Sequence, residues 1–145
     1  MRDQILAAPR PAFAHRISVR FQDVDAAGLL FFARFFDYFH DGYFAFMKHR
    51  GVDFAAAIAE RSWAAPLKHV EADYLSPARF SDEVEAEIVG KQVDGSLVRL
   101  FHRLRRDDTA LAVARTDHVY VDLTTFRRVP LPAHVQDALS VLPEF

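Results

Sequence analysis

An α+β fold, with one long helix packed into a curved and mainly antiparallel sheet, is the architecture this sequence predicts. Three observations predict it. Apolar residues recur at three- and four-residue steps through residues 31–50. Four stretches after Trp63 alternate with period two instead. Tight-turn residues, above all Asp94-Gly95, join the later stretches closely enough to make them antiparallel neighbours.

Residues 13–22, "FAHRISVRFQ", set Ile17, Val19 and Phe21 against Arg16, Ser18 and Arg20, the alternation of a strand. "DVDAAG" then turns the chain. From 31 to 50 the apolar positions are Phe32, Phe35, Phe36, Phe39, Tyr43, Phe46 and Met47, while Arg34, Asp37, Asp41 and Lys48 fall mostly on another face. This predicts one helix of about five turns, stopped by Gly51. "DFAAAIAER" predicts a short second helix capped by Asp53. "APLKHVEADYLSP" is a strand ended by Pro77. "DEVEAEIVGKQV" turns Val84, Ala86 and Ile88 one way and Glu83, Glu85 and Glu87 the other. "SLVRLFHRLRR" returns from the Asp94-Gly95 hairpin, and "DDT" turns the chain again. "ALAVARTDHVYVDL" is the longest predicted strand, apolar on both faces near its start and so expected at the centre. The last four strands are expected to form a meander. After Pro130 and Pro132, "AHVQDALSVL" predicts a short closing helix.

The chain has 145 residues, 51% of them hydrophobic, and is read as a single domain over 1–145. A net charge of -2 gives no reason to expect a nucleic-acid partner. With no cysteine there is neither a disulfide nor a thiol nucleophile. The first residues, "MRDQILAAPRPAFAH", carry charge and proline and do not read as a signal peptide. No stretch approaches the roughly 20 apolar residues that span a bilayer, so a cytoplasmic location without membrane contact is expected. Eight of the 14 phenylalanines lie between Phe31 and Phe54, which points to a segment buried on more than one side, in part by another subunit.

"RFQDVDAAGLLFFARFF" raises the chemical question. Asp23-x-Asp25-x-x-Gly28 is how a calcium loop begins, but the fifth and twelfth positions of such a loop are here Ala27 and Arg34. Zinc is no better served, since no His pair stands four apart beside a Glu. A serine nucleophile has no G-x-S-x-G. A turn and a reaction remain open for the two aspartates. Asp23 reads first as a hydrogen-bonded anchor of the loop.

The pattern of strand, D-x-D-x-x-G, helix and following glycine runs through "VRFQDVDAAGLLFFARFFDYFHDGYFAFMKHRGVDF". With "HVEADYLSPARFSDEVEAEI" and "VARTDHVYVDLTTFRRVPLP" it covers almost the whole chain. This resembles the hotdog-fold acyl-CoA thioesterases of the 4-hydroxybenzoyl-CoA thioesterase family. "DAAG", "VEAD" and "RRVPLP" are most similar to its 1,4-dihydroxy-2-naphthoyl-CoA hydrolases.

The resemblance implies that Asp25 is catalytic and that the thioester carbonyl meets the backbone N–H of Phe32. Phe32 has no polar side chain, so only its main chain can contribute. The resemblance also implies an acyl-CoA substrate with an aromatic or bulky acyl group, no metal or organic cofactor, and a homodimer or homotetramer with sites between subunits. Gly28, Phe31 and Ser76 are expected to touch substrate. Asp25 has two routes, direct attack or activation of water. His40, His69 and His118 read as packed or interface groups. Arg79, Lys91, Arg103, Arg105, Arg106, Arg127 and Arg128 are candidates for the CoA phosphates. Enoyl-CoA hydration is disfavoured, because the position five beyond Asp25 is Leu30 rather than His. A non-catalytic acyl-CoA or acyl-carrier binding module remains the rival of another class, and an esterase for aliphatic acyl-CoA the rival within enzymes.

Overall fold

The computed structural model describes residues 1–145. Helix α1 (Arg2–Ala7) precedes strand β1 (Ala14–Ser18), and a single 3-10 turn, Phe21–Asp23, leads towards the long helix α2 (Arg34–His49). A short α3 (Phe54–Ala59) and two-residue β2 (Trp63–Ala64) follow, then β3 (Leu67–Tyr74), β4 (Glu83–Asp94), β5 (Leu97–Arg106) and β6 (Thr109–Val119). The two-residue β7 (Val121–Asp122) pairs with β2, and α4 (Ala133–Leu139) ends the regular structure. The expected elements are present, and the Asp53 carboxylate caps α3 by accepting from the Ala56 N–H at 2.9 Å.

The sheet order is β1-β4-β5-β6-β3, antiparallel throughout. This corrects two expectations. Only β4, β5 and β6 form a meander, and β3 crosses to the far edge to pair with β6. The eight residues 75–82, with Pro77 among them, are too long for a tight hairpin and carry the chain across the end of the sheet. β5 is therefore the middle strand, while β6 lies one in from the edge. Helix α2 is also shorter than predicted. The Phe31 N–H is taken by the Asp23 carbonyl at 2.9 Å and the Arg34 N–H folds back onto Phe31 O at 2.9 Å, so residues 31–33 are a turn before the helix.

Helix α2 lies across one face of the sheet. Its closest approach is at Gly42, where a Cβ would stand 2.8 Å from the Ala86 Cβ of β4, so no larger residue fits without moving the sheet. Two apolar clusters fill this interface, one around Phe46, Met47 and Leu100, the other around Phe35, Phe39 and Leu104. A third cluster, Ile5, Val89, Phe101 and Val113, lies on the outer face of the sheet beneath α1. Helix α1 was not expected from the sequence; six residues are too few for a periodic signature or for a helix stable by itself.

Candidate active site

The turn between β1 and α2 is built on its two aspartates, each in a different way. Asp23 is buried and accepts from Arg20 Nε at 2.7 Å and from the Tyr38 hydroxyl at 2.9 Å. Burial alone would raise its pKa. The Arg20 and Tyr38 hydrogen bonds, with the Arg34 charge 3.8 Å away, outweigh that and hold the carboxyl below the usual range. Asp23 is thus the structural anchor of the loop.

Asp25 is exposed. Its Oδ1 accepts from the Ala27 N–H at 2.8 Å and the Leu29 N–H at 3.1 Å, while Oδ2 has no partner in the chain. Gly28 closes the turn with φ +74°, a conformation that favours glycine. The returning chain is pinned to residues 78–80 by Leu30 N–H to Ala78 O at 2.8 Å and Phe80 N–H to Gly28 O at 3.0 Å.

Asp25, Phe31, Phe32, Phe35, Tyr74 and Ser76 line one open groove of about 460 Å³. Four of the five residues expected at the site are therefore brought together, and Gly28 shapes the turn beside them. Asp25 sits at the rim, and Phe31 and Phe32 are 45% and 61% exposed, so the groove is uncovered in a single chain. Since the Phe31 carbonyl accepts from Arg34, the trans peptide aims the Phe32 N–H the other way, out of the helix tip. No acceptor in the chain meets it.

Tyr74 is a site residue that the sequence reading missed. Its hydroxyl donates to the Phe32 carbonyl at 2.9 Å and so fixes the next peptide of the same turn. The alternation of Val70, Ala72 and Tyr74 places it on the helix side at the end of its strand, which was the available signal.

A second hollow, of about 410 Å³, lies farther along the same flank between α2 and β3. Phe36, Phe39, His40 and Tyr43 line it from the helix, and His102, Thr116 and His118 from the sheet. Burial, followed by the neighbouring imidazoles His118 and His40, lowers the His102 pKa to about 3. Burial lowers that of His118 to about 4, against a partial offset from the Ala65 carbonyl. Below pH ~6.5 the unfolded chain therefore takes up protons that the folded chain refuses. Both groups contribute stability that is fully present above that pH and lost as pH falls towards their folded values. The urea-unfolding free energy is expected to fall between pH 6.5 and 5, by up to about 1.4 kcal/mol per pH unit for each histidine. Equal values at pH 7 and pH 5 would remove this assignment. His40 and His69 are exposed, and His69 stands 3.4 Å from Glu71.

The basic candidates separate sharply. Arg103 is fully buried against Glu87 at 2.6 Å and cannot meet a phosphate. Lys91 is nearly buried and paired with Glu144. Arg105 pairs with Asp108 and Arg106 with Asp82. Arg79, exposed and bridged through its backbone to Leu29 at the site turn, makes no ion pair. Arg127 and Arg128 are also exposed and unpaired, in the loop after β7. No group of three or more His, Cys, Asp or Glu is placed to hold a metal, and no helix is long and apolar enough to cross a membrane.

Residues 19–139 match the family described as the thioesterase-like superfamily. The 1,4-dihydroxy-2-naphthoyl-CoA hydrolase of Synechococcus elongatus is 32% identical over 124 residues, covering 85% of this chain and 91% of that protein. The enzyme of the same name from Picosynechococcus is 26% identical over 139 residues, covering 92% and 95%. Among solved structures, the 1,4-dihydroxy-2-naphthoyl-CoA thioesterase from Synechocystis superposes with a TM-score of 0.83 at 25% identity, covering 88% of this chain and 95% of that one. The fold is the hotdog fold, and the chain belongs to the thioesterase-like superfamily.

Proposed function

We propose that this chain is a cytoplasmic thioesterase that hydrolyses aromatic acyl-CoA esters to the free acid and CoA. One observation carries the reading: a carboxylate with a free oxygen, on Asp25, and an unpaired backbone donor, on Phe32, line the same aromatic groove.

The thioester carbonyl oxygen takes its place against the Phe32 N–H. Negative charge develops there in the transition state, where one pre-aimed donor stabilises by about 3–4 kcal/mol. The dipole of the following helix adds to it. Asp25 acts on the carbonyl carbon by one of two balanced routes. In the first its carboxylate oxygen bonds to that carbon, the C–S bond breaks, and water then hydrolyses the mixed anhydride. In the second it takes a proton from the water that attacks. In both, CoA leaves as thiolate, a good leaving group that needs no general acid. After a single turnover in ¹⁸O-water, label in the Asp25 carboxylate marks the first route with water attacking the anhydride at the Asp25 carbon; the second route leaves Asp25 unlabelled. The chemistry needs no metal or organic cofactor, and CoA is part of the substrate.

The acyl group we propose is a bulky aromatic one, such as 1,4-dihydroxy-2-naphthoyl or 4-hydroxybenzoyl. Support comes from the names of the relatives and from the phenyl rings along the groove. Arg79, exposed and free beside the site turn, is the proposed phosphate contact. We further propose that two or four copies assemble. β3 is an edge strand, and Leu67, Val70, Phe44 and Phe32 are 40% or more exposed along its flank. A second copy covers both the open strand and the open groove.

Purified protein is expected to release free thiol from hydroxybenzoyl- and naphthoyl-CoA faster than from fatty acyl-CoA. Binding of these esters with no thiol released from any of them would favour the non-catalytic binding module instead.

A further inference from the structure

The hollow between α2 and β3 holds a chain of hydrogen bonds whose direction can be worked out. His118 Nδ1 stands 3.3 Å from the Ala65 carbonyl, which can only accept, so Nδ1 carries the proton. His118 is neutral at pH 7, so its Nε2 is a bare acceptor. The Thr116 hydroxyl, 3.1 Å away, therefore donates to it. With its proton committed there, Thr116 Oγ1 accepts from His102 Nε2 at 2.8 Å. His102 is neutral too, so its second nitrogen, Nδ1, is left as a lone pair. That nitrogen has no partner in the chain, although His102 is 2% exposed and lines the hollow.

A bare acceptor in the wall of an aromatic hollow is met by water or by a ligand group that donates to it. The surroundings say what enters. Phe36, Phe39 and Tyr43 offer ring faces and edges, and the opening is flanked by Asp37 and His40. The hollow also lies in line with the proposed reaction centre. Phe36 lies in the first turn of α2, just after Phe32, and His40 follows Phe36 one four-residue step on, about 6 Å farther along the helix. On the strand, Val70 borders this hollow and Tyr74 the groove, both on the helix side of β3.

We propose that this hollow receives the ring of the acyl group, and that His102 Nδ1 selects rings carrying a hydrogen-bond donor, a hydroxyl or an amino group, over rings that carry none. The substrate rests on the thioesterase reading above; the donor preference rests on the direction of the relay. Thr116 is a positioning residue, since it fixes which His102 nitrogen is bare. A ring with a methoxy group is rejected because it brings a second acceptor to a lone pair.

Two measurements test this. The first needs no turnover. In ¹⁵N-histidine-labelled protein, long-range ¹⁵N–¹H spectra are expected to show His102 as the Nε2–H tautomer. A hydroxynaphthoic acid should move the Nδ1 signal, and the matching methoxy acid should leave it in place. The second compares kcat/KM for hydroxybenzoyl-CoA and benzoyl-CoA. The ratio is expected to be at least ~10 in the parent and to fall close to one in Thr116→Val, with folding of the variant checked by its melting curve. A silent Nδ1 signal overturns the proposal, as does a parent ratio near one or a ratio that Thr116→Val leaves unchanged. If no thioester is hydrolysed at all, the thioesterase reading falls, and the histidine spectra alone uphold or overturn the ring pocket.

Discussion

Asp25→Asn is expected to lower turnover of an aromatic acyl-CoA by at least ~100-fold, with the melting temperature little changed. Two features of the turn make asparagine the informative substitution. The amide oxygen can still accept from the Ala27 and Leu29 N–H groups, so the loop that carries residue 25 keeps its shape. What disappears is the carboxylate charge and the basicity of the unpartnered Oδ2, which either route to the acid requires. A ~100-fold loss corresponds to about 2.7 kcal/mol of transition-state stabilisation. Asp25→Ala should lose as much activity and also loosen the turn, because both N–H groups lose their acceptor. The two variants together separate chemistry from loop geometry. Turnover by Asp25→Asn within a few-fold of the parent would show that the carboxylate only shapes the turn. Asp23→Asn should behave differently: it weakens the contacts to Arg20 and Tyr38 and acts first on stability.

What could be read from the sequence was local. The long helix, its glycine stop, the Asp53 cap and the Asp94-Gly95 hairpin each depend on residues a few positions apart, and each is present. The role of Asp23 as an anchor was open to the same reasoning. What could not be read depends on pairing across the sheet. Alternation put His102 on the face shared by Leu100 and Leu104, and Thr116 and His118 on the face shared by Ala112 and Ala114. Only the register that sets His102 opposite Ala114 and His118 opposite Val98 makes a relay of them. The start of α2 slipped for a related reason. The Phe31 N–H is claimed by Asp23, and a helical period cannot show that its first residues are tied elsewhere. Phe31 and Phe32 are exposed, against a prediction of burial on more than one side, because the turn before α2 holds them at the rim of an open groove.

Arg103 is the sharpest failure of sequence reading and leads to the second large effect. In "SLVRLFHRLRR" it alternates like the surface arginines around it and passes for a phosphate ligand. It is instead fully buried on the outer face of the sheet, opposite Glu87 in register and bonded to it at 2.6 Å. Its other nitrogens donate to the carbonyls of Ile5 at 3.1 Å, Ala8 at 2.8 Å and Pro9 at 3.2 Å. Those carbonyls end a six-residue helix that has no stability of its own, so one guanidinium holds the N-terminal segment over Val89, Phe101 and Val113. Arg103→Met should leave a buried carboxylate unpaired and these carbonyls unmet, at a cost of ~3–5 kcal/mol. At an m-value of about 2 kcal/mol/M that lowers the urea midpoint by roughly 2 M. The N-terminal segment should also become sensitive to limited proteolysis. Adding Glu87→Met removes the stranded charge and should recover much of the midpoint, but not the protection of residues 2–9, whose carbonyls still lack a donor. A loss under ~1 kcal/mol in Arg103→Met would mean that the pair is solvated and that α1 is held by Ile5 alone. Recovery of protease resistance in the double variant would likewise show that the guanidinium is not the clasp.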